Sequence, residues 1–410
     1  MKIMITEKNK HTWCVNAVHG MSGNNDGSTK MCCMAQSNYR TGNKLGKKSI
    51  LENFNNPDAI AIRENLDNGI RDIGCRLCWE EEDGGRKSKR VRDNDRYNHE
   101  VSNGLRQPYQ GLAKLELNLG NTCNIKCRTC HSTISSTWMK EDYDLNHKTI
   151  TFKDYSANMK QYHQTYDEDS PFWEDLKENL STIKQFDFYG GEPFLSKKMW
   201  EILRICVDKE YASDIELHYN TNGTTWPADV ELFKNFKSVN LSFSIDGIGD
   251  RFEYMRSPAV WDEVKANMRS AVLFNDKHKN LSLSWCITLS NLNIFYLPEV
   301  LDEYYNNWNE FGFYLNLVHG PKHYNVSIMP DNVKVKVLEK LDTISKSYTD
   351  AWFHLEGIIG FIKNGTFNKQ KWDLFVNTVK THDDYREQDY NTTFREFGKI
   401  IHESNNTFLE

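Results

Sequence analysis

No run of apolar residues in this chain approaches the roughly 18 that a membrane span requires. The start, Met1-Lys2-Ile3-Met4-Ile5-Thr6-Glu7, lacks the long apolar stretch of a signal peptide. A helical span is therefore excluded, and a cytoplasmic chain is expected. A cationic excess is missing too: 51 Lys and Arg stand against 57 Asp and Glu, for a net charge of −6. That balance argues against a general nucleic-acid binder while leaving room for a local basic patch. Internal repeats and low-complexity linkers are also absent. Aromatic residues are not scarce, at 12%, within a hydrophobic share of 39% and a mean hydropathy of −0.69. Such a chain is wet but too aromatic to be disordered. Its 410 residues correspond to roughly two to three domains with a sizeable core.

Cysteine is where the sequence is rich. Of the ten cysteines, eight fall in the first 130 residues, in short-spaced groups. In a reducing compartment grouped thiols point to metal rather than to disulfides. Cys123-x3-Cys127-x2-Cys130 follows the alternating run Leu115-Glu116-Leu117-Asn118-Leu119, which reads as a strand. Three thiolates on one short loop can hold three irons of a cubane cluster, leaving the fourth iron open to an exogenous molecule. A zinc site is the alternative, although structural zinc normally takes four ligands.

Strand patterns recur at 114–119, 183–188, 215–220, 239–246, 281–288 and 311–318, separated by helix-like stretches. Strands alternating with helices imply parallel βα units. Strands buried on both faces read as continuous apolar runs, but these alternate. Val239, Leu241, Phe243 and Ile245 interleave with Asn240, Ser242, Ser244 and Asp246. Leu281, Leu283, Trp285 and Ile287 interleave with Ser282, Ser284, Cys286 and Thr288. With the apolar set on outer helices, the polar set lines an interior suited to a polar ligand. An antiparallel sheet with one wet face is the simpler alternative.

Asn121-Thr122-Cys123-Asn124-Ile125-Lys126-Cys127-Arg128-Thr129-Cys130-His131 resembles the cluster loop of the radical S-adenosylmethionine (SAM) enzymes. The resemblance extends to Gly190-Gly191-Glu192-Pro193 at the end of the second of these strands, to Thr221-Asn222-Gly223 after the third, and to Ser242-Phe243-Ser244-Ile245-Asp246-Gly247. It implies a partial (β/α)6 barrel of α/β class. It implies a 4Fe-4S cluster on Cys123, Cys127 and Cys130, and SAM held near Gly190, Gly191, Glu192, Asn222, Ser242, Ser244 and Arg256. Many relatives carry an aromatic residue just before the third cysteine, where this chain has Thr129.

Cys14, Cys32-Cys33 and Cys75-x2-Cys78, followed by Glu82-x2-Gly85-x2-Ser88-x-Arg90, resemble the auxiliary-cluster segments called SPASM or twitch. Here the segment precedes the barrel instead of following it. The resemblance implies a second 4Fe-4S cluster on Cys14, Cys32, Cys75 and Cys78, with Cys33 an adjacent substitute for Cys32; a four-cysteine zinc site is the alternative. The domains expected are 1–110 for the auxiliary cluster, 111–330 for the barrel and 331–410 for a helical extension packed on it.

The implied activity is reductive cleavage of SAM to a 5′-deoxyadenosyl radical that removes hydrogen from a substrate. Peptide or protein modification or dehydrogenation leads, with a small-molecule substrate also open and flavodoxin or ferredoxin as electron donor. The rivals are action on a nucleotide or nucleic acid, and a non-catalytic iron–sulfur or zinc protein. The basic run Arg86-Lys87-Ser88-Lys89-Arg90-Val91-Arg92 bears on the first rival. Cys286 on the inward face and His319 beyond the last strand are weaker candidates, and Cys206 reads as core.

Overall fold

A computed structural model describes residues 5–36, 44–85 and 87–407. Six parallel strands form its body: β3 (Lys114–Asn118), β4 (Gln185–Tyr189), β5 (Glu216–Thr221), β6 (Ser238–Ser244), β7 (Leu281–Leu289) and β8 (Gly312–Leu317). These match the six patterns in the sequence to within a few residues at their ends. Two short strands precede them, β1 (Gly20–Gly23) and β2 (Thr29–Lys30). The eight form one open sheet in the order β2-β1-β3-β4-β5-β6-β7-β8, with β1 parallel to β3 and only β2 antiparallel. The fold is α/β, a partial barrel with helices outside and a helical C-terminal region.

β1 and β2 are invisible to pattern reading because four residues with two glycines carry no periodicity. Tertiary pairing makes them strands. Gly20 stands opposite Lys114 and Ser22 opposite Glu116. The turn between them closes through Asn24 O accepting from Gly27 N–H and Asn24 N–H donating to Ser28 O. Gly27 sits at φ +80°, a conformation L side chains rarely adopt. The cysteine-rich N-terminal segment thus supplies the edge of the same sheet.

The alternation sorts as expected. Leu217, Tyr219, Val239, Leu241, Phe243 and Trp285 are buried in one core with Met199, Trp200 and Leu203 of helix Lys197–Asp208 and Val264 and Met268 of helix Trp261–His278. Cys206 lies in this core, fully buried. The opposite set lines the concave face, where Ser242 bonds Ser284 at 2.8 Å and Asn316 Nδ2 donates to Cys286 Sγ at 3.3 Å. Helix Pro57–Asp67 starts where Asn56 accepts from Ala59 N–H with Pro57 in the first turn. Beyond 330 the chain is helical, in Asp331–Ser347, Thr349–Asn364, Lys369–Arg386 and Arg395–Thr407. The apolar stripe of the first of these is Val333, Val337, Leu341 and Ile344, while Val335, which reads as part of it, is half exposed. Among the described residues no helix is long and apolar enough to cross a membrane.

Leu241 is wholly buried in β6. Leu241→Ala is expected to cost about 2–5 kcal/mol, read as a lower urea midpoint with an unchanged far-UV spectrum.

Candidate active site

β3 delivers the chain into the loop that carries Cys123, Cys127 and Cys130, and nearly every peptide group there is tied down. Ser136 N–H bonds Asn121 O, Thr137 Oγ1 donates to Cys123 O at 2.6 Å, Ser135 Oγ to Ile125 O at 2.6 Å, and Trp138 Nε1 to Cys127 O at 2.9 Å. On the far side Lys126 N–H donates to Ser257 O and Arg128 N–H to Met255 O. Negative charge on Cys127 or Cys123 would oppose ionisation of Cys130. Burial pushes all three up, Cys127 to about 11 and Cys130 to about 12, while the charges of Arg256 and Arg386 favour the Cys127 thiolate. Thiols so buried become ligands only when a metal displaces their protons.

The Gly-Gly-Glu-Pro element lies against this loop. A Cβ on Gly191 would collide with the Thr122 carbonyl and one on Gly190 with the Asn118 side chain, so only glycines let β4 end there. Glu192 N–H donates to Thr122 O at 2.8 Å. The Glu192 carboxylate is buried and turned into the fold. It accepts from Thr221 Oγ1 at 2.9 Å, Asn222 N–H at 2.7 Å and Phe194 N–H at 3.1 Å. Burial raises its pKa to about 7. Asn222 in turn donates to Asn124 Oδ1 at 2.9 Å and lies 3.9 Å from Cys123 Sγ. From the other side, Arg256 pairs with Asp246 at 2.7 Å and its NH1 lies 3.8 Å from Cys127 Sγ.

Gly190, Gly191, Glu192, Asn222 and Arg256 are therefore drawn to the cysteine loop. Ser244 sits at the end of β6, and Ser242, two residues deeper, is committed to Ser284. Arg256 Nε and Asn118 Oδ1 are buried beside the loop without a partner. Three thiols on one short loop, a guanidinium and amide beside them and two orphaned polar atoms suit a cysteine-ligated cluster and a small polar ligand. Asp246 belongs to the quoted Ser-x-Asp-Gly element but is not among the residues expected to hold SAM. It holds Arg256 and accepts from Thr288 N–H at 3.0 Å; its place in Ser-x-Asp-Gly was the available signal.

The N-terminal cysteines form a second set. Cys14, Cys32, Cys75 and Cys78 line one cavity with Met31, Ile62, Lys89 and Arg90. Cys33 turns away: its N–H donates to Glu116 at 2.5 Å and its Sγ lies 3.5 Å from the same carboxylate. Burial raises the four cavity thiols, Cys14 to about 11. Their donor chemistry suits a four-thiolate group. Among the described residues no three His, Cys, Asp or Glu side chains are grouped to hold one metal ion.

The Glu-Ser-Arg spacing after Cys78 proves to be a brace. Ser88 Oγ donates to Glu82 at 2.5 Å, and Arg90 donates to Glu82 at 2.6 and 3.0 Å and to Trp13 O at 2.9 Å. Its guanidinium lies 4.7 Å over Trp79. Lys87 pairs with Asp95 and Lys89 with Asp93 and Glu116, whereas the exposed Arg92 bonds the Lys87 carbonyl; Arg86 lies outside the described residues.

Between helix Lys89–Ser102 and the concave face is a cavity of about 190 Å³ lined by Lys89, Asp93, Arg96, Lys114, Asp187, His218 and Asn240, among others. Lys114 reaches Asn16 at 3.0 Å and Asp93 at 3.3 Å, and Arg96 and Arg106 share Glu216. Lys89 borders both this cavity and the cysteine cavity. Cys286 faces the concave side higher up, and His319 is exposed.

Residues 117–274 match the family model of the Radical SAM superfamily. The chain is similar in structure to anSMEcpe with bound AdoMet (TM-score 0.40, 16% identity, covering 58% of this chain and 62% of that one). It is also similar to SuiB of Streptococcus suis bound to S-adenosylmethionine (TM-score 0.36, 13% identity, 69% and 62%) and to SuiB bound to precursor peptide SuiA (TM-score 0.34, 12%, 68% and 60%). The chain spans about three fifths of the length of these structures. No curated protein matches it.

The Arg90–Glu82 pair is buried, with side-chain exposures of 8% and 14%. Glu82→Ala should cost about 3–5 kcal/mol, because it strands a buried guanidinium. Thermal unfolding checks this, and a loss no larger than that of an exposed alanine substitution would show that the pair does not brace the segment.

Proposed function

We propose that this chain is a radical SAM enzyme with two iron–sulfur sites, the first on Cys123, Cys127 and Cys130 and the second on Cys14, Cys32, Cys75 and Cys78. The observation that carries the reading is the loop of three cysteines following β3, flanked by Arg256 at Cys127 and Asn222 at Cys123. The match of residues 117–274 supports it. When bound, a three-cysteine cluster supplies the electron that cleaves SAM reductively to a 5′-deoxyadenosyl radical.

The protein's own part is binding and orientation. Asn222 and Arg256 flank Cys123 and Cys127, while the paired glycines let β4 end against the cysteine loop, beside which the SAM methionyl group would bind. Glu192 acts through Asn222, since its carboxylate holds the Thr221-Asn222 turn. The cavity under the sheet, bordered on one side by helix Lys89–Ser102, is the candidate substrate site. Peptide or protein modification is the leading reaction class, on the resemblance of the N-terminal cysteines to auxiliary-cluster segments. The second site, with every iron ligated, then serves as electron conduit or scaffold. Residues 1–110, 111–330 and 331–410 are taken as the functional divisions of one cytoplasmic chain served by a flavodoxin or ferredoxin.

Iron and sulfide content with EPR on anaerobically reconstituted chain tests both sites. About eight irons are expected, falling to about four in a Cys14→Ala, Cys75→Ala, Cys78→Ala variant. Four in both would remove the second cluster from the proposal. Reduced chain should convert SAM to 5′-deoxyadenosine, and Cys127→Ala should not. Cluster-loaded protein that leaves SAM intact would sink the enzymatic reading.

A further inference from the structure

We propose that the C-terminal helix Lys369–Arg386 sets the position and charge environment of the cysteine loop, with Arg386 as the positioning residue that acts through Glu141 and the Lys126 carbonyl. The inference rests on the reading that this loop holds a cluster.

Arg386 NH1 donates to Lys126 O at 2.9 Å, one residue before Cys127, and its Nε contacts both Glu141 oxygens at 2.9 and 3.0 Å. Glu141 also accepts from Lys126 Nζ at 2.9 Å and bonds His382 Nδ1 at 2.6 Å. The Arg386 guanidinium lies 4.5 Å over the ring of Trp138, the residue whose Nε1 holds Cys127 O. His382 meets the same ring edge-on at 5.1 Å. One residue past Cys127, Arg128 donates to Asp383 at 2.5 Å and to Gln388 at 2.8 Å and stacks 3.9 Å over Tyr254, whose hydroxyl donates to Asp383 at 2.7 Å.

The Lys126 carbonyl before Cys127 and the Arg128 side chain after it are thus held from one helix more than 240 residues away in sequence. The side chains of Arg128, Arg386 and Glu141 are all no more than 2% exposed, so water screens these charges weakly. Three cations, Lys126, Arg128 and Arg386, face two carboxylates, Glu141 and Asp383. Arg128 Nε and NH1 and Arg386 NH2 also have no partner. The two guanidiniums are buried and the Lys126 ammonium is partly exposed, so positive charge behind the loop exceeds negative by one and favours the electron-rich state of a group bound in front of it. The Lys126 carbonyl, fixed by the Arg386 guanidinium that also grips Glu141, loses the freedom that would let the next residue, Cys127, drift.

The test uses the full chain, reconstituted anaerobically with iron and sulfide, as Arg386→Met and Arg386→Lys. The readouts are the midpoint potential of the loop cluster, followed by EPR, and the rate of iron loss to a chelator. Arg386→Met should move the potential negative and lose iron roughly 10-fold faster. Arg386→Lys keeps the charge but not the fork, so it should restore the potential more fully than the iron retention. A folded Arg386→Met chain matching wild type in both readouts overturns the inference. Should that variant not fold, His382→Ala, which removes one bond to Glu141, should still hasten iron loss, and an unchanged rate overturns the inference. Wild-type chain that takes no iron on the loop fails the functional reading itself, a distinct outcome.

Discussion

The passage of Gly191 against the Thr122 carbonyl, with Glu192 N–H bonded to the same oxygen, is the contact on which the open end of the sheet depends. It sets how near the end of β4 comes to the cysteine loop. From there the Glu192 carboxylate reaches Thr221 and Asn222 at the end of β5, and Asn222 reaches back to Asn124 and Cys123. Three strand ends and one loop are closed into a circuit of backbone and side-chain bonds. Any side chain at position 191 would push β4 away and open that circuit at its shortest link.

A buried carboxylate in such a circuit is stabilised by its donors and opposed by desolvation. At Glu192 three donors do not outweigh burial, and its pKa stays raised at about 7. At Glu141 the balance goes the other way. Hydrogen bonds from His382, Lys126 and Arg386 together with the guanidinium charge outweigh burial and hold that carboxyl down at about 2. The difference is the number of cations in contact, none at Glu192 and two at Glu141. Glu141 is thus firmly an anion, and the cations it gathers behind Cys127 are held there by it.

Much of the fold was legible because the strands alternate in polarity and helices separate them. The cysteine loop and Gly-Gly-Glu-Pro were legible because their residues are adjacent in sequence. What was not legible depends on distance along the chain. Arg128 and Asp383 are 255 residues apart, and nothing in helix Lys369–Arg386 distinguishes Arg386 or Asp383 from ordinary surface charge. The basic run shows the converse. Its composition suggests an anion site, yet Lys87, Lys89 and Arg90 are turned onto Glu82, Asp93, Asp95 and Glu116. β1 and β2 escaped because their strand character comes from pairing with β3 and with each other rather than from any preference of their own residues.

That pairing decides where the N-terminal cysteines end up. β1 runs parallel to β3 with Ser22 opposite Glu116, and β2 turns the chain back so that Cys33 meets Glu116 from the concave side. Cys32, its neighbour, then faces the cavity shared with Cys14, Cys75 and Cys78. Lys89 is bonded to Glu116 and Asp93 and touches both that cavity and the charged one beneath the sheet. The four thiols are therefore positioned by the sheet edge and a buried ion network, not by a unit joined through a linker. A shift in β1 register by one residue would invert Ser22 and move the Cys32-Cys33 pair with it, so the second thiol site and the lumen are mechanically one assembly.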